Sequence, residues 1–230
     1  MGQYDLFRKI SQSNLTPKQR TVTQIQNDIL SDFEDTPSYQ SVTINNSTTP
    51  QDVQIVTATN IVSKQNYKKM LSKPLETFNV GDVVVWGSLT YLVTDIDEDK
   101  QVQTKGTIQL CNNTLSFYLA TDATPILHSI PCVINNRVIL NKDENKYLST
   151  VDNQFFMMVS SNSITQQIKP NDIFQIGIYN YEIITVPDDI SIPGVLIFKL
   201  KFSVVGVSDD EEVDEEQEGQ EPIPQNNNLF

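Results

Sequence analysis

The sequence predicts a mainly β protein: two small antiparallel β-barrel or sandwich units, preceded by one amphipathic helix and followed by an acidic tail. Three observations carry this. Short β-branched segments separated by close turns fill residues 78–118, a second such series fills most of 135–207, and one apolar stripe at helical spacing lies near the start. The expected divisions are an N-terminal arm and helix over 1–37, a first β-unit over 38–134, a second over 135–207 and the tail over 208–230.

The helix begins at Thr16–Pro17, where Thr is a good N-cap and Pro suits the first helical position. Val22, Ile25, Ile29, Leu30 and Phe33 then fall on one side of a helix spanning 17–34, which Asp35-Thr36-Pro37 ends. Such a stripe packs on its own β-body or docks on a neighbouring subunit. Tyr39–Ile44 and Val53–Ala58 are short β-like segments with a polar turn, Asn45–Thr49, between them. The stretch 61–73 is basic through Lys64, Lys68, Lys69 and Lys73; it is either a solvated face or a contact for an acidic partner.

The body of the first unit reads as four strands. Val83–Trp86 follows the turn Gly81–Asp82; Gly87–Ser88 reverses the chain into Leu89–Thr94, with Leu89, Tyr91 and Val93 on one face. Beyond the polar loop 95–100, Val102–Cys111 alternates, Val102, Ile108 and Leu110 one way, Gln103, Lys105 and Gln109 the other. Asn112–Asn113 is a further turn and Leu115–Tyr118 returns, which makes a meander. A loop is expected over 119–129, then a hairpin from Pro131–Ile134 and Arg137–Leu140. Phe155–Ser160, Ile164–Ile168, Ile173–Ile176, Tyr181–Val186 and Val195–Phe202 complete the second unit.

The two units share a phrase at an offset of 90 residues. Asp82, Gly87 and Tyr91 recur as Asp172, Gly177 and Tyr181; Val83, Val93 and Ile96 recur as Ile173, Ile183 and Val186; Gly81 is matched by Asn171. The phrase is either an internal duplication or two hairpins alike for local reasons, and Val85 against Gln175 breaks the pattern.

Charge narrows the function classes. Nine acids and no Lys or Arg lie in 209–230, so only −4 of the net −13 belongs to the body. An acidic body does not grip phosphate, though it suits a wall along which nucleic acid passes without sticking. A run of like charge followed by Pro222, Pro224 and three Asn cannot build a core. Met1–Ile10 is polar and mixed, unlike a signal peptide, and no apolar run approaches the roughly 20 residues of a membrane span, so a soluble protein made in a cytoplasm is expected.

The candidate chemistry is thin. His128, the single histidine, cannot supply a multi-His metal site or support a Ser/His relay unaided. Asp95, Asp97 and Asp99 alternate like the start of a calcium loop, but the sixth and twelfth positions are Lys100 and Gly106 where Gly and an acid are needed. Asp188–Asp189 is an acid pair in a loop, a turn former unless a cleft perturbs it. Cys111 and Cys132 form no metal motif; they are two small core residues or, in an oxidising compartment, a disulfide. No catalytic, cofactor or metal residues are therefore assigned, and no enzyme is expected.

Phe78, Gly81-Asp82-Val83-Val84-Val85, Gly87 and Tyr91-Leu92-Val93 resemble the barrel phrase of neck proteins in tailed phages, and Asp172-Ile173-Phe174, Gly177 and Tyr181 repeat it more weakly. The resemblance covers residues 60–204 as an architecture. These relatives are head-closure, stopper or head–tail connector proteins. The resemblance implies a virion protein of the neck, forming a homo-oligomeric ring that contacts portal or adaptor protein and tail proteins. Packaged DNA passes through or is plugged without sequence-specific contact, and no membrane is involved. A different class of function is a capsid decoration or host-surface carbohydrate-binding module, with Trp86 and the tyrosines as a stacking face.

Overall fold

The computed structural model describes residues 15–57, 66–97, 101–118, 126–135, 137–141, 146–149, 154–176 and 179–203. The helix α1 spans Pro17–Asp32. Thr16 and Gln19 close a capping box: the Gln19 amide donates to Thr16 Oγ1 at 3.3 Å and the Thr16 amide to Gln19 Oε1 at 2.8 Å. Six strands follow, β1 (Tyr39–Ile44), β2 (Gln51–Thr57), β3 (Tyr67–Ser72), β4 (Val83–Trp86), β5 (Leu89–Ile96) and β6 (Lys105–Leu110). All neighbours are antiparallel, and they close into a barrel in the order β1-β2-β3-β6-β5-β4. Val42, Val53, Ile55, Met70, Phe78, Val84, Tyr91, Val93 and Ile108 fill it.

The remaining strands are β7 (Asn113–Tyr118), β8 (Leu127–Asn135), β9 (Arg137–Asn141), β10 (Lys146–Ser149), β11 (Gln154–Ser160), β12 (Ile173–Ile176), β13 (Tyr179–Ile183) and β14 (Val195–Ser203). Six of them form a second antiparallel sheet in the order β7-β8-β11-β14-β13-β12, while β9 and β10 pair only with each other. Leu115, Phe117, Met157, Val159, Phe174, Ile183, Phe198 and Leu200 are among the residues of its core.

The mainly β architecture with one leading helix is as the sequence predicts, but four local expectations are corrected. The hydrogen bonding divides the chain between Leu110 and Asn113, not between 134 and 135: Leu115–Tyr118 does not return along β6 but opens the second sheet, pairing with β8 from Asn113↔Cys132 to Tyr118↔Leu127. Pro131–Ile134 and Arg137–Leu140 are not a hairpin, because β8 pairs with β7 and β11 whereas β9 turns back on β10. Ile164–Ile168 is not extended; Thr165–Gln167 is a 3-10 turn. Asn162 Oδ1 accepts from the amides of Ile164 and Thr165, and the Thr165 hydroxyl donates to Ser160 O at 2.7 Å, which curls the segment. Finally, β6 is buried on both faces rather than one. Gln109 lies between Tyr67 and Leu92 in adjacent strands and is 2% exposed.

The two sheets have the same strand order, β1 to β6 standing where β7, β8, β11, β12, β13 and β14 stand in the second. The turn entering β4 recurs atom for atom before β12. Asp82 Oδ2 accepts from the Asn79 amide at 2.7 Å, and Asp172 Oδ2 from the Lys169 amide at 2.7 Å. Gly81 N donates to Val93 O and Asn171 N to Ile183 O; Val93 N donates to Asp82 O and Ile183 N to Asp172 O. Gly81 (φ +89°) and Asn171 (φ +73°) both sit in the left-handed region, which Gly and Asn tolerate best. The strand order is thus shared throughout, and β4–β6 with their turn bonds match β12–β14 at the offset of 90 residues. Gly177 lies outside the described residues.

The sheets meet through unlike faces. Leu92, with Val80, Val83 and Cys111, packs against Val133, Phe156, Met158, Val195 and Ile197 on the outer side of β8, β11 and β14 and against Ile192 in the loop before β14. Each such side chain fully buried contributes roughly 1.5–3 kcal/mol, so the joint is a core in its own right. Here two backbones touch: a Cβ on Gly194 would lie 2.3 Å from Val80 O, and one on Gly81 would lie 1.9 Å from Gly194 O.

Candidate functional site

The helix stripe comes first, since the sequence left its partner open. No residue of α1 is buried, and Ile25 remains 41% exposed. The helix is tethered at two points. Gln26 Nε2 donates to the carbonyls of Gln101 and Val102 at 3.0 and 3.2 Å, and Phe33, fully buried, plugs in beyond its end with its carbonyl accepting from Thr36 and Gln54. The loop holding Val102 precedes β6 as the loop holding Ile192 precedes β14. The helix thus sits on the first sheet about where the first sheet sits on the second.

Most candidate residues serve the scaffold. Lys69 pairs with Asp97 at 3.2 Å, and Lys73 with Glu34 and Asp52 at 3.1 and 3.5 Å, so two of the basic stripe's lysines are answered within the chain; Lys64 lies outside the described residues. The hydrogen bond to Glu34 raises the Lys73 pKa most, against the effect of burial. Asp97 is thereby committed, and Asp99 lies outside the described residues. His128 is in β8 rather than in a loop, its ring 5.8 Å from that of Phe117. Asp188 is a turn former: its carboxylate accepts from the amides of Ile190 and Ser191 at 2.9 and 3.0 Å and from the Ser191 hydroxyl. Burial alone would raise its pKa, but these bonds, led by Ser191, bring it below the ordinary carboxylate value. Cys111 and Cys132 are free thiols, both pushed up to about 12 by burial. Trp86 is half-buried, its Nε1 donating to Gln40 Oε1 at 2.9 Å and its ring tilted against Tyr91, so it is no open stacking platform.

One concave feature among the described residues was not foreseen. In the first barrel β1 closes onto β4 through Thr43↔Val85 and Ile44↔Val84. The equivalent strands of the second sheet, β7 and β12, come within 8 Å of each other without pairing. Phe117 and Phe174 meet edge to face beneath this seam, 5.4 Å between ring centroids. Above them lies a groove of about 780 Å³, floored by Phe117, Ile168 and Phe174 and rimmed by Ser116, Tyr118, Gln166, Lys169, Asp172 and Gln175. In the strand order β12 lies three places from β11, so the groove is across the sheet from the joint. Its walls come from stretches some fifty residues apart, and no local pattern announces it.

Among the described residues no cluster of three or more metal-ligating side chains occurs, and no helix is long and apolar enough to cross a membrane. No curated protein matches the chain. Residues 112–201, which are the second sheet nearly end to end, match the family model described as YomX C-terminal domain, a phage-associated domain family.

Proposed function

We propose that the chain is a structural protein of the phage virion, assembling as a ring in the neck, between portal and tail, where it helps retain packaged DNA. The observation that carries the reading is the tandem of a closed barrel and a sheet of like strand order, joined by a shared apolar cluster, the second of which matches a phage-associated family. A joint of packed apolar side chains suits a part that transmits shape and load, and the half-exposed stripe of α1 offers a neighbour something to bury. The acidic tail adds a repelling surface for DNA.

Crosslinking of purified particles, followed by identification of the linked peptides, tests this. Links from this chain to portal or tail protein, and between its own copies, are the expected result. Particles with no copies at the portal vertex overturn it. Trp86 gives the carbohydrate-binding alternative little support, because it is half-buried with its ring tilted against Tyr91.

A further inference from the structure

We propose that the groove between β7 and β12 is a binding site for a neutral oligosaccharide, a property separate from the neck role. The argument starts from its size. About 780 Å³ lies within the roughly 300–1,000 Å³ typical of small-ligand sites.

Its chemistry then discriminates among ligand classes. The floor is apolar, through the small exposed parts of Phe117, Ile168 and Phe174 (7%, 3% and 7%), a contact for the C–H groups of a pyranose. The rim supplies donors and acceptors together. Among the described residues the side chain of Gln175 makes no hydrogen bond, and Gln166 uses its Nε2 on Ser161 Oγ and leaves its Oε1 without a partner. Tyr118 is 62% exposed and adds a hydroxyl and a ring. The facing edges of β7 and β12 add backbone N–H and C=O groups that no strand among the described residues pairs. Sugar hydroxyls both donate and accept, so they can satisfy such a mixed set.

Other occupants fit less well. A purely apolar ligand would leave the amides and strand edges unsatisfied. An anion finds one cation, Lys169, beside the carboxylate of Asp172. An extended peptide inserted as a strand would need about 9.5 Å between β7 and β12, twice the ordinary strand spacing, whereas they approach within 8 Å over a floor already closed by two rings.

The test is an array of di- to pentasaccharides, hexose, N-acetylhexosamine and uronate, probed with the full chain and followed by calorimetric titration of the strongest neutral binder. Gln175→Ala and Tyr118→Ala, both at exposed positions, are each expected to lose about tenfold in affinity with an unchanged melting temperature. Trp86→Phe is expected to bind as the parent does. Absence of saccharide binding at millimolar concentration overturns the proposal. So does binding that both rim variants leave intact, a preference for uronates, or uptake of extended peptides in place of sugars. The neck reading falls or stands on particle crosslinks, which none of these outcomes moves.

Discussion

Gly194→Ala is the sharpest probe of the joint. Gly194 has φ +94°, and an added methyl would sit 2.3 Å from Val80 O and 3.0 Å from Val80 C, both backbone atoms that cannot rotate aside. Two penalties combine. Holding alanine at positive φ costs roughly 1–2 kcal/mol. Forcing apart a packed contact adds about 1–3 kcal/mol, because Val195 and Ile192 on either side must move with the backbone. The variant should therefore lose about 2–5 kcal/mol. Gly87→Ala separates the terms: φ is +59° there and nothing lies within 4 Å of the added methyl, so only the backbone penalty applies. Urea unfolding followed by tryptophan fluorescence, which reports the first barrel through Trp86, and by circular dichroism, which reports both, is the assay. Coincident transitions in the parent should separate in Gly194→Ala and stay coincident in Gly87→Ala. Equal losses for the two alanines, or a coupled unfolding in both, would refute the claim that backbone contact locks the sheets together.

Three further outcomes are expected. Leu75 is 82% exposed at φ +74°, at the third position of a turn closed by Glu76 N donating to Lys73 O, so Leu75→Asn should raise stability by roughly 0.5–1 kcal/mol in thermal melts. Cys111 and Cys132, raised from 9.0 to about 12, carry roughly a thousandfold less thiolate than ordinary thiols at pH 8; a colorimetric thiol reagent should find two slow groups in the native protein and two fast ones in guanidinium. Asp188→Ala should destabilise by about 1–2 kcal/mol by freeing two loop amides. Because the folded pKa of Asp188 is depressed, its contribution is present above the ordinary carboxylate value and lost as pH falls through the lower folded value, so parent and variant should converge in stability in acid.

What could be read from residues alone was what short-range chemistry dictates. Thr16–Pro17 marks a helix start because the cap is satisfied three residues away, and β4 and β5 are legible because Gly81–Asp82 and Gly87–Ser88 bracket β-branched runs. The repeat of 90 was visible in Asp82 and Asp172 because both close the same turn with the same carboxylate. Partner choice was not legible. Asn112–Asn113 looks like a hairpin turn, yet it is the passage between sheets, since the strand after it pairs with β8 and not with β6. Nothing near Leu115 encodes that preference; it follows from Phe117 and Leu115 joining the core of Phe174, Ile183 and Phe198 far along the chain. The same holds for Gln109, polar by pattern but buried by Tyr67 and Leu92 from strands on either side. The groove is the extreme case, because it exists only where two strands distant in sequence fail to pair.

The joint has one more consequence. It unites the β4–β5 side of one sheet with the β8–β11–β14 side of the other, surfaces that do not correspond under the shared strand order. A chain made of two sheets of like strand order therefore has no internal dyad. One extremity carries a helix, the opposite one a cleft, and the polypeptide points from the first towards the second. Any array built from it inherits that arrow, and its top and bottom address different neighbours.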